Sequence, residues 1–426
     1  MAKLIFLNRY YYPDHSATSQ LLADLTRHLA ARGLEIHVVT SRQLYNNPAA
    51  ALPAQDRLEQ VVIHRLTTSR CGRGGLWGRA LDYVTFYIQA VRRMARLIEP
   101  GDLVVAETDP PLISVCAALV CRWRHGRLIN WIQDLFPEVA AALGVGGEGL
   151  GYRLLKALRN WSLRTAVYNV VLGDRMRDRL VAEGVHPERI GVIPNWADGD
   201  ALRPVAHAAN PLRATWELEN RFVVGYSGNM GRAHEFDTLL QAADLLRDIP
   251  QIVFLLIGDG AQRDRLIAEA TRRGLPQIRF QPYQPREQLA VSLGVADVHL
   301  VSLAPPLEGL IVPSKFYGIA AAGRPTIFIG DERGEVASIL KRHRCGLTVR
   351  VGDAERLAAC ILELSRTPAR TQEMGHQARR AFRKRWDKPL AFAAWEKVVL
   401  STLARHSSGS DGIPNNPDTQ EVANIA

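Results

Sequence analysis

Short apolar runs alternate with segments of helical periodicity along most of the chain. The first apolar run, Leu4–Leu7, is followed by a helical pattern over residues 21–31 and by a second apolar run over 36–40. Gly33 follows the helical pattern directly, at a position where a left-handed C-cap costs glycine least. Near-continuous apolar strands separated by helices predict a parallel sheet that is covered on both faces.

The alternation is repeated in the second half of the chain. Further strands of the first series are predicted at 103–107, 128–132 and 169–172, and those of a second series at 222–226, 252–257, 278–280, 298–301 and 326–329. A segment rich in turn-forming residues, 193–200, separates the two series. We therefore predict an α/β fold of two Rossmann-like, doubly wound domains that face each other across a cleft.

The domain bounds follow from these patterns. We expect an N-terminal domain over residues 1–200, a C-terminal domain over 201–385, a C-terminal helix over 386–406 that returns to the first domain, and a disordered tail over 407–426. The tail lacks apolar periodicity, which is typical of segments that cannot bury enough apolar surface to fold.

Composition places the chain among soluble globular proteins. It has 426 residues, of which 47% are hydrophobic and 23% charged, and its five cysteines show neither disulfide-framework nor zinc-ligand spacing, which favours a reducing compartment. The first residues form too short an apolar run for a secretory signal. The longest apolar stretch, 112–121, is about half of the roughly 20 residues that span a bilayer, so we expect no transmembrane helix.

The net charge of +10 calls for an anionic partner or surface. Nucleic acid is excluded because the positive charge is dispersed and no nucleic-acid-binding module is recognisable. Apolar and aromatic residues recur at helical spacing over 76–98, beside Arg92, Arg93 and Arg96, and further cations follow between Arg122 and Arg164. Core packing explains this pattern, and so does a basic, aromatic helix on an anionic membrane.

Glycine-bearing turns follow the strands of the second series. Residues 227–232 (Ser-Gly-Asn-Met-Gly-Arg) lie between a strand and a helix, where backbone N–H groups suit a diphosphate. An ordinary tight turn would use the same glycines. Gly258 and Gly260 follow the next strand and Tyr283 the one after, so these turns point to one edge of the sheet. A dinucleotide-dependent oxidoreductase is disfavoured because no GxGxxG follows the first strand.

The stretch 305–325 is the most informative. Ser314 is a natural N-cap and Gly323 a natural C-cap, which predicts a short helix after a loop that contains Glu308. Glu308 could accept hydrogen bonds from sugar hydroxyls while Lys315 and the helix start face phosphate. The alternative is a solvated glutamate and a surface lysine.

Taken together, these residues resemble the family 4 glycosyltransferases of the GT-B class, within them the bacterial enzymes of exopolysaccharide, colanic acid and O-antigen assembly. The resemblance covers roughly residues 1 to 400. Its motifs are Tyr11-Tyr12-Pro13, Ala30-Ala31-Arg32-Gly33, Asp109-Pro110-Pro111, Trp131-Ile132-Gln133-Asp134-Leu135-Phe136-Pro137-Glu138, Ile193-Pro194-Asn195, Tyr226-Ser227-Gly228-Asn229-Met230-Gly231, Ile257-Gly258-Asp259-Gly260 and Pro313-Ser314-Lys315.

The resemblance implies transfer of a sugar, with retention, from a nucleoside-diphosphate-sugar donor on the C-terminal domain to an acceptor on the N-terminal one. We expect no metal or other cofactor; Asp198-Gly199-Asp200 spells a metal-binding DxD pattern but lies in a turn-rich hinge. With the basic, aromatic N-terminal half, the resemblance favours a polyprenyl-diphosphate-linked glycan acceptor and a cytoplasmic enzyme peripheral on the inner face of the cytoplasmic membrane. The alternative is a nucleotide-sugar epimerase or hydrolase of the same architecture.

Site residues also follow from the resemblance. Expected catalytic residues are Asp134, Glu308 and Arg232; donor-binding residues are Ser227, Gly228, Asn229, Gly231, Gly258, Gly260, Tyr283, Val312, Ser314 and Lys315; and the first loop, with His15, Ser16 and Thr18, should close over phosphates or acceptor. Asp134 could instead be an N-cap.

The chain departs from the family pattern in several places. Ser16-Ala17-Thr18 stands in the first loop where the family has a pair of glycines. Asn229 and His234 stand where the family has an arginine and a lysine, and Gly318 replaces a ribose-binding acid. We expect Arg232 and Lys315 to substitute for the missing cations.

Overall fold

The computed structural model describes residues 2–45, 47, 49–72 and 75–407. The tail predicted for 407–426 therefore lies, from residue 408 on, outside the described residues. The chain divides into two compact units. Unit 1 comprises residues up to Ile193 together with the end of the chain from Phe392, and unit 2 comprises Pro194–Ala391.

Unit 1 is built around an eight-stranded sheet. Its strands are β1 (Leu4–Leu7), β2 (Ile36–Ser41), β3 (Gln55–Leu58), β4 (Val61–Leu66), β5 (Leu103–Ala106), β6 (Arg127–Trp131), β7 (Tyr168–Val171) and β8 (Ile190–Val192). Its helices are α1 (Ala17–Ala31), α2 (Leu76–Leu97), α3 (Ile113–Arg124), α4 (Glu138–Ala142), α5 (Leu150–Thr165) and α6 (Asp174–Ala182). The strand order is β3-β4-β2-β1-β5-β6-β7-β8, and every pair is parallel except the β3–β4 hairpin.

Both faces of this sheet are buried, as expected for parallel strands joined by helices. Ile5 and Leu7 of β1 pack with Phe86 and Met94 of α2 and with Ile113 at the start of α3. The alternate residues of β1, Leu4 and Phe6, are also buried. Because both faces of the sheet are covered, all four residues of β1 are apolar.

Unit 2 has a smaller sheet that is parallel throughout. Its elements are α7 (Pro211–Thr215), β9 (Phe222–Ser227), α8 (Asp237–Leu245), β10 (Ile252–Ile257), α9 (Arg263–Arg273), β11 (Ile278–Gln281), α10 (Leu289–Gly294), β12 (Val298–Ser302), α11 (Lys315–Ala321), β13 (Thr326–Ile329), α12 (Glu335–His343), β14 (Gly346–Val349), α13 (Ala354–Arg366) and α14 (Pro368–Arg385). The strand order is β11-β10-β9-β12-β13-β14. Val224 and Phe254 belong to one core cluster and Val223 and Val253 to another, so this sheet is also covered on both faces.

The last helix, α15 (Lys388–Ser407), begins in unit 2 and continues into unit 1. Trp395 is fully buried, and its ring centroid lies 4.7 Å from that of Trp131 at the end of β6. Phe392 stacks on His28 of α1 with centroids 4.5 Å apart. These contacts attach the end of the chain to the sheet that the beginning of the chain builds.

The prediction of two parallel α/β sheets is confirmed, and the strands expected from apolar runs are present within one or two residues. Gly33 has φ +85° just beyond α1, as its C-cap position requires. The sequence analysis missed β3, β4, β8 and β14. Residues of β3 alternate between exposed and half-buried, because it is the edge strand and has a polar side.

The helix predicted near 76–98 is present as α2; its buried side confirms core packing, and contact of its exposed side with a membrane stays a prediction. Phe86, Ala90 and Met94 are buried in the core, whereas Trp77 and Ile88 are exposed. Among the residues that the structure describes, no helix is long and apolar enough to span a bilayer.

Replacing Trp395 tests how strongly the end of the chain stabilises unit 1. Because Trp395 is completely buried against Trp131, Trp395→Ala should lower the free energy of unfolding by about 3–5 kcal/mol. Leu400→Ala on the same helix is the control, since Leu400 is 46% exposed and should cost less than about 1 kcal/mol. Urea unfolding followed by circular dichroism measures both; equal effects would contradict the assigned packing.

Candidate active site

The turns after β9 and β10 are joined to each other in unit 2. The N–H of Gly228 donates to the carbonyl of Ile257 at 2.9 Å, and the N–H of Met230 donates to Asp259 at 2.7 Å. The side-chain amide of Gln262 donates to the carbonyls of Gly231 and His234 at 2.8 and 2.9 Å. The turn after β9, which was predicted to hold phosphate, is therefore held in place by the turn after β10. Two of its backbone amides, those of Gly228 and Met230, already donate hydrogen bonds within the protein.

Packing between these turns accounts for two of the predicted glycines. Gly258 has φ +138°, and a Cβ there would collide with the carbonyl oxygen of Gly228. Gly260 has φ +142°, and a Cβ there would collide with the Asn229 side chain. Both residues must be glycine whether or not a ligand binds.

Lys315, the first residue of α11, reaches over the turn that follows β9. Its ammonium donates to the Tyr226 hydroxyl and lies 3.5 Å from the carbonyl oxygen of Asn229 and 3.3 Å from Nε2 of His234. The same nitrogen lies 3.9 Å from the centroid of the Tyr226 ring, and the Lys315 side chain passes the bare Cα of Gly228. The structure thus brings Lys315 to the positions, Asn229 and His234, where the expected cations are missing.

All three groups that hold Lys315 are neutral. His234 Nδ1 lies 2.6 Å from the carbonyl oxygen of Ser302, so Nδ1 carries the proton and Nε2 accepts from Lys315. Burial, followed by the charge of Lys315, lowers the pKa of His234 to about 3. Burial raises the pKa of Tyr226 far above its usual range, which keeps the phenol protonated.

Burial lowers the pKa of Lys315 to about 7. None of its contacts is a carboxylate, so nothing in this group compensates the cost of removing the ammonium from water. A buried lysine in such surroundings is stabilised in its charged form by an anion. The geometry therefore suits the phosphate of a ligand.

Arg232 is placed differently from Lys315. It is exposed and has no hydrogen bond or ion pair to the other described residues. Helix α8 begins at Asp237, within one residue of its predicted start, and residues 233–236 separate the turn from the helix N-terminus. Arg232 could still swing toward a bound ligand, but its role stays a prediction.

Glu308 contacts a helix start within unit 2. Its carboxylate accepts from the N–H of Glu335, the first residue of α12, at 2.8 Å. Gly334 leaves the space that this carboxylate occupies, since a Cβ there would collide with it. Burial raises the pKa of Glu308 and the backbone hydrogen bond opposes that shift. Binding of sugar hydroxyls to Glu308 remains a prediction, and the helix contact fixes the carboxylate in one orientation.

The helix predicted after Ser314 is present as α11, with Gly323 at φ +67° just beyond its end. Ser314 precedes the helix but makes no side-chain capping bond, and it is exposed. Val312 is buried at 8% exposure, and Tyr283 is half-exposed. A Cβ built on Gly318 would lie 3.6 Å from a methyl group of Leu293 and 3.9 Å from one of Leu202. The surroundings of Gly318 are therefore apolar, and neither neighbour replaces the ribose-binding acid.

Three carboxyl groups follow two neighbouring strands of unit 1. Glu107 and Asp109 follow β5, and Asp134 follows β6, which pairs with β5 in parallel. Burial raises the pKa of all three, to about 7 for Asp109, whose charge is further opposed by Asp134 and favoured by Arg9. Of the three, Asp134 was predicted as a site residue and Asp109 was named only as part of a family motif; the signal for Glu107 was its position at a strand end.

Asp134 is not an N-cap, because the nearest helix, α4, has Pro137 at that position. One carboxylate oxygen of Asp134 interacts with the hydroxyl of Thr108, and Oδ1 is buried without a hydrogen-bond partner among the described residues. Neither oxygen of the buried Glu107 has a partner there either. This edge of unit 1 therefore presents carboxyl groups whose hydrogen-bonding capacity is unused.

Arg9 follows β1 at the same edge, and the sequence analysis overlooked it. Its guanidinium carbon lies 5.2 Å from the ring centroid of Tyr10 and 5.0 Å from that of Tyr83. Nη2 lies 3.7 Å from a carboxylate oxygen of Asp82, which is itself buried. Strand β1 lies at the point where the chain switches direction across the sheet, which is where α/β sheets bind ligands.

The first loop is shaped by Asp14. Its carboxylate accepts from the N–H of Ser16 at 2.7 Å and from that of Tyr45 at 2.5 Å. Ser16 precedes α1 but makes no side-chain capping bond, and its hydroxyl is buried without a partner among the described residues. His15 is exposed and Thr18 is half-buried. The contact of these residues with phosphates or acceptor stays a prediction.

The Asp198-Gly199-Asp200 pattern has a structural role. Asp198 accepts from the N–H groups of Asp200 and Ala201 at 3.1 and 3.0 Å and pairs with Lys388. The part of the chain that the structure describes contains no group of three or more His, Cys, Asp or Glu side chains able to hold a metal ion.

Two family models match the chain. A "Glycosyl transferase 4-like domain" matches residues 17–196, within unit 1, apart from its last residues, and "Glycosyl transferases group 1" matches residues 211–381, within unit 2. The second match contains the turn after β9, Glu308 and Lys315. The first contains Asp109, Asp134 and helix α1.

Curated relatives agree with these matches. The chain is 25% identical to the putative colanic acid biosynthesis glycosyl transferase WcaI of Escherichia coli over 79% of this chain and 85% of the relative. It is 29% identical to the probable glycosyltransferase WbjE of Pseudomonas aeruginosa over 85% of this chain and 90% of the relative.

Solved structures show the same fold. Sucrose-phosphate synthase from Thermosynechococcus elongatus has a TM-score of 0.77 at 18% identity, with 95% of this chain and 100% of that chain covered. Anabaena Alr3699/HepE in complex with UDP-glucose has a TM-score of 0.70 at 17% identity, with 94% and 100% covered. The two domain matches together span most of the chain, and the protein belongs to the group 1, family 4 glycosyltransferases of the GT-B fold.

Proposed function

We propose that this glycosyltransferase moves a sugar, with retention, from a nucleoside-diphosphate-sugar to a polyprenyl-diphosphate-linked glycan in surface polysaccharide biosynthesis. The observation that supports the donor site best is Lys315, a half-buried ammonium held by three neutral groups beside the turn after β9. The polysaccharide context comes from the colanic acid relative, WcaI.

A diphosphate leaving group supplies the anion that Lys315 lacks. Negative charge develops on the departing diphosphate during sugar transfer, and a fixed cation stabilises that charge more than it stabilises the bound donor. Arg232, which is exposed on the same turn, is proposed to add a second cation. The fold neighbour HepE was solved with UDP-glucose, which makes a uridine nucleotide the first donor to test.

The acceptor is proposed to bind at the acidic edge of unit 1. Asp134 offers a buried oxygen without a partner among the described residues, which can accept a hydrogen bond from a sugar hydroxyl. Tyr10 and Tyr83, on either side of Arg9, offer aromatic faces to a sugar ring. His15, Ser16 and Thr18 are proposed to complete this region from the first loop.

A membrane-facing role is proposed for the outer surface of α2, α3 and α5, which we call the three-helix surface. Helix α3 contacts both of the others. Trp77 is 90% exposed, Trp123 68% and Leu150 84%. The remaining exposed apolar residues of this surface are Leu81, Val84, Ile88, Leu119, Leu154 and Leu158. Large apolar side chains exposed on three neighbouring helices are typical of an interaction surface.

The charges of the three-helix surface favour an anionic lipid surface over another protein face. Exposed arginines are distributed over all three helices, at Arg79, Arg92, Arg96, Arg122 and Arg153. Helices α3 and α5 contain no acid, and the one acid of α2, Asp82, is buried. Tryptophan is favoured at the membrane interface, and each nearby arginine adds about 1 kcal/mol of attraction to anionic lipid.

Some cations that the sequence analysis assigned to this surface serve the fold instead. Arg159 is buried and pairs with Glu138 at 2.6 Å, and Lys156 pairs with Glu183 at 2.6 Å. Arg127 donates to the carbonyls of Gly101 and Thr402. The three-helix surface is therefore less basic than the sequence alone indicated.

Replacing Lys315 tests the donor site. Because a hydrogen bond to a charged group contributes about 1.5–3 kcal/mol, Lys315→Ala should weaken donor affinity about 10- to 100-fold. The measurement is isothermal titration with the nucleotide-sugar that most raises the melting temperature. Arg356→Ala, which removes an exposed cation on α13, is the control. Unchanged affinity and turnover in both Lys315→Ala and Arg232→Ala would place the donor elsewhere.

Donor affinity should depend on pH through Lys315. Its pKa of about 7 in the free protein rises when a diphosphate binds, so affinity is highest below pH 7 and falls as the pH rises from 7 to 8.5. We expect the dissociation constant to increase about tenfold over that interval. Lys315→Arg should flatten the profile, because a guanidinium keeps its proton throughout. A pH-independent dissociation constant in the unmodified protein would contradict this.

Liposome flotation tests the three-helix surface. Trp77→Ser/Trp123→Ser should reduce binding to vesicles containing anionic lipid by at least tenfold at low salt, because two exposed indoles are lost from the interface. Leu245→Ser, which changes a residue 57% exposed in unit 2, is the control. Retained flotation of the double variant would refute the membrane assignment. The assignment would also be refuted if the unmodified protein formed a dimer but bound no vesicles, and the double variant lost the dimer.

A further inference from the structure

Unit 2 contains a cleft of about 350 Å³ between the end of α12 and the last turns of α14. We call it the basic cleft. Its cationic side chains are Arg342, Arg344, Arg380, Lys384 and Arg385, and His343 lines it as well. None of these residues belongs to the loops that hold Lys315 or Glu308, so the basic cleft is not part of the donor site described above.

Two separate elements direct like charges at the same space. Arg380 and Lys384 are four residues apart on one face of α14, an arrangement that repels within an isolated helix. Arg344 follows α12 with φ +51°, a left-handed conformation that is uncommon for arginine. Burial, together with Arg385 and Arg342, lowers the pKa of His343. Neutral His343 can then donate or accept a hydrogen bond without adding charge.

Elsewhere in unit 2, several arginines pair with nearby acids. Ion pairs of this kind join Arg213 to Asp297, Arg247 to Asp244, Arg265 to Asp237, Arg272 to Glu269, Arg350 to Glu332 and Arg370 to Glu363. No carboxylate lines the basic cleft. The nearest acid along α14, Glu373, accepts from Gln377 at 2.5 Å.

The five cations of the basic cleft make no ion pair or hydrogen bond to other described residues. Cations at helix C-termini are ordinarily stabilised by the helix dipole, and that explains one or two of them. The helix dipole does not explain five cations in one concave space, because each added positive charge is repelled by the others. An anion bound in the basic cleft would remove that repulsion.

We propose that the basic cleft binds a diphosphate group. A terminal phosphoryl group carries about 1.5 to 2 negative charges at pH 7 and a bridging one carries about 1, so a nucleoside diphosphate compensates about three of the five cations and a lipid-linked diphosphate about two. Guanidinium groups bind phosphate oxygens in pairs, which suits a site with four arginines. The volume admits a small anion and is too small for a folded protein segment or a nucleic-acid duplex.

Two molecules of this chemistry meet the enzyme. The nucleoside diphosphate is released by the transfer reaction itself, and a lipid-linked diphosphate is the acceptor carrier if the proposed function holds. Both molecules present a diphosphate group. The basic cleft is therefore a site either for the released nucleoside diphosphate or for the lipid-linked diphosphate. The experiment separates these sources.

The test uses inorganic pyrophosphate as the probe and the full chain with Lys315→Ala as the parent, so that the donor turn does not contribute. Isothermal titration should give a dissociation constant that increases at least tenfold when Arg380→Ala/Lys384→Ala is added. Arg356→Ala/Arg366→Ala, which removes two exposed cations from α13, is the charge-matched control and should change it less than threefold. Circular dichroism melting checks folding; if the double variant is unfolded, Arg380→Gln/Lys384→Gln replaces it.

Absence of pyrophosphate binding in the parent, or equal weakening in cleft and control variants, overturns the proposal. Vesicles that contain a polyprenyl diphosphate, compared with vesicles in which phosphatidylglycerol replaces it, distinguish the sources. Flotation that pyrophosphate inhibits, and that Arg380→Ala/Lys384→Ala weakens, supports a lipid-linked diphosphate. Pyrophosphate binding that depends on the cleft, with flotation unchanged, supports the soluble nucleotide. Because the parent lacks Lys315, failure of this test leaves the proposed donor site unaffected.

Discussion

Parallel pairing of strands is the constraint on which the candidate site residues depend. All strands of a parallel sheet end at the same edge, so residues far apart in sequence become neighbours when each follows a strand. In unit 1 this brings Asp109 to Asp134, and in unit 2 it brings the turn after β9 to the turn after β10. The close approach of those two turns then requires glycine at 258 and 260.

Lys315 shows how burial and hydrogen bonding together prepare a cation. Tyr226 and His234 hold the ammonium without neutralising it, because the phenol keeps its proton and the imidazole stays uncharged. A carboxylate in the same place would pair with the lysine and compete with an incoming phosphate. We propose that Lys315 supplies the positive charge that the family pattern places at Asn229 and His234.

The excess of positive charge divides into structural and unpaired cations. Arg159 and Arg213 are buried and bound to acids or carbonyls, so their charge is used in folding. Among the described residues, groups of cations without an acidic partner lie beside the turn after β9, on the three-helix surface and in the basic cleft. Each of these has neighbouring apolar, aromatic or like-charged groups rather than carboxylates, which is what an anionic partner requires.

The sequence by itself determined the two parallel sheets, because apolar runs and helical periodicity are local properties, and it identified the segment around Lys315. It could not identify β3, whose edge position leaves a polar strand, nor Arg9 and Glu107, which have no motif. It also assigned Arg159 to a membrane surface, whereas its guanidinium is buried against Glu138. Only the tertiary structure decides which charges find a partner, because pairing joins residues that are distant along the chain.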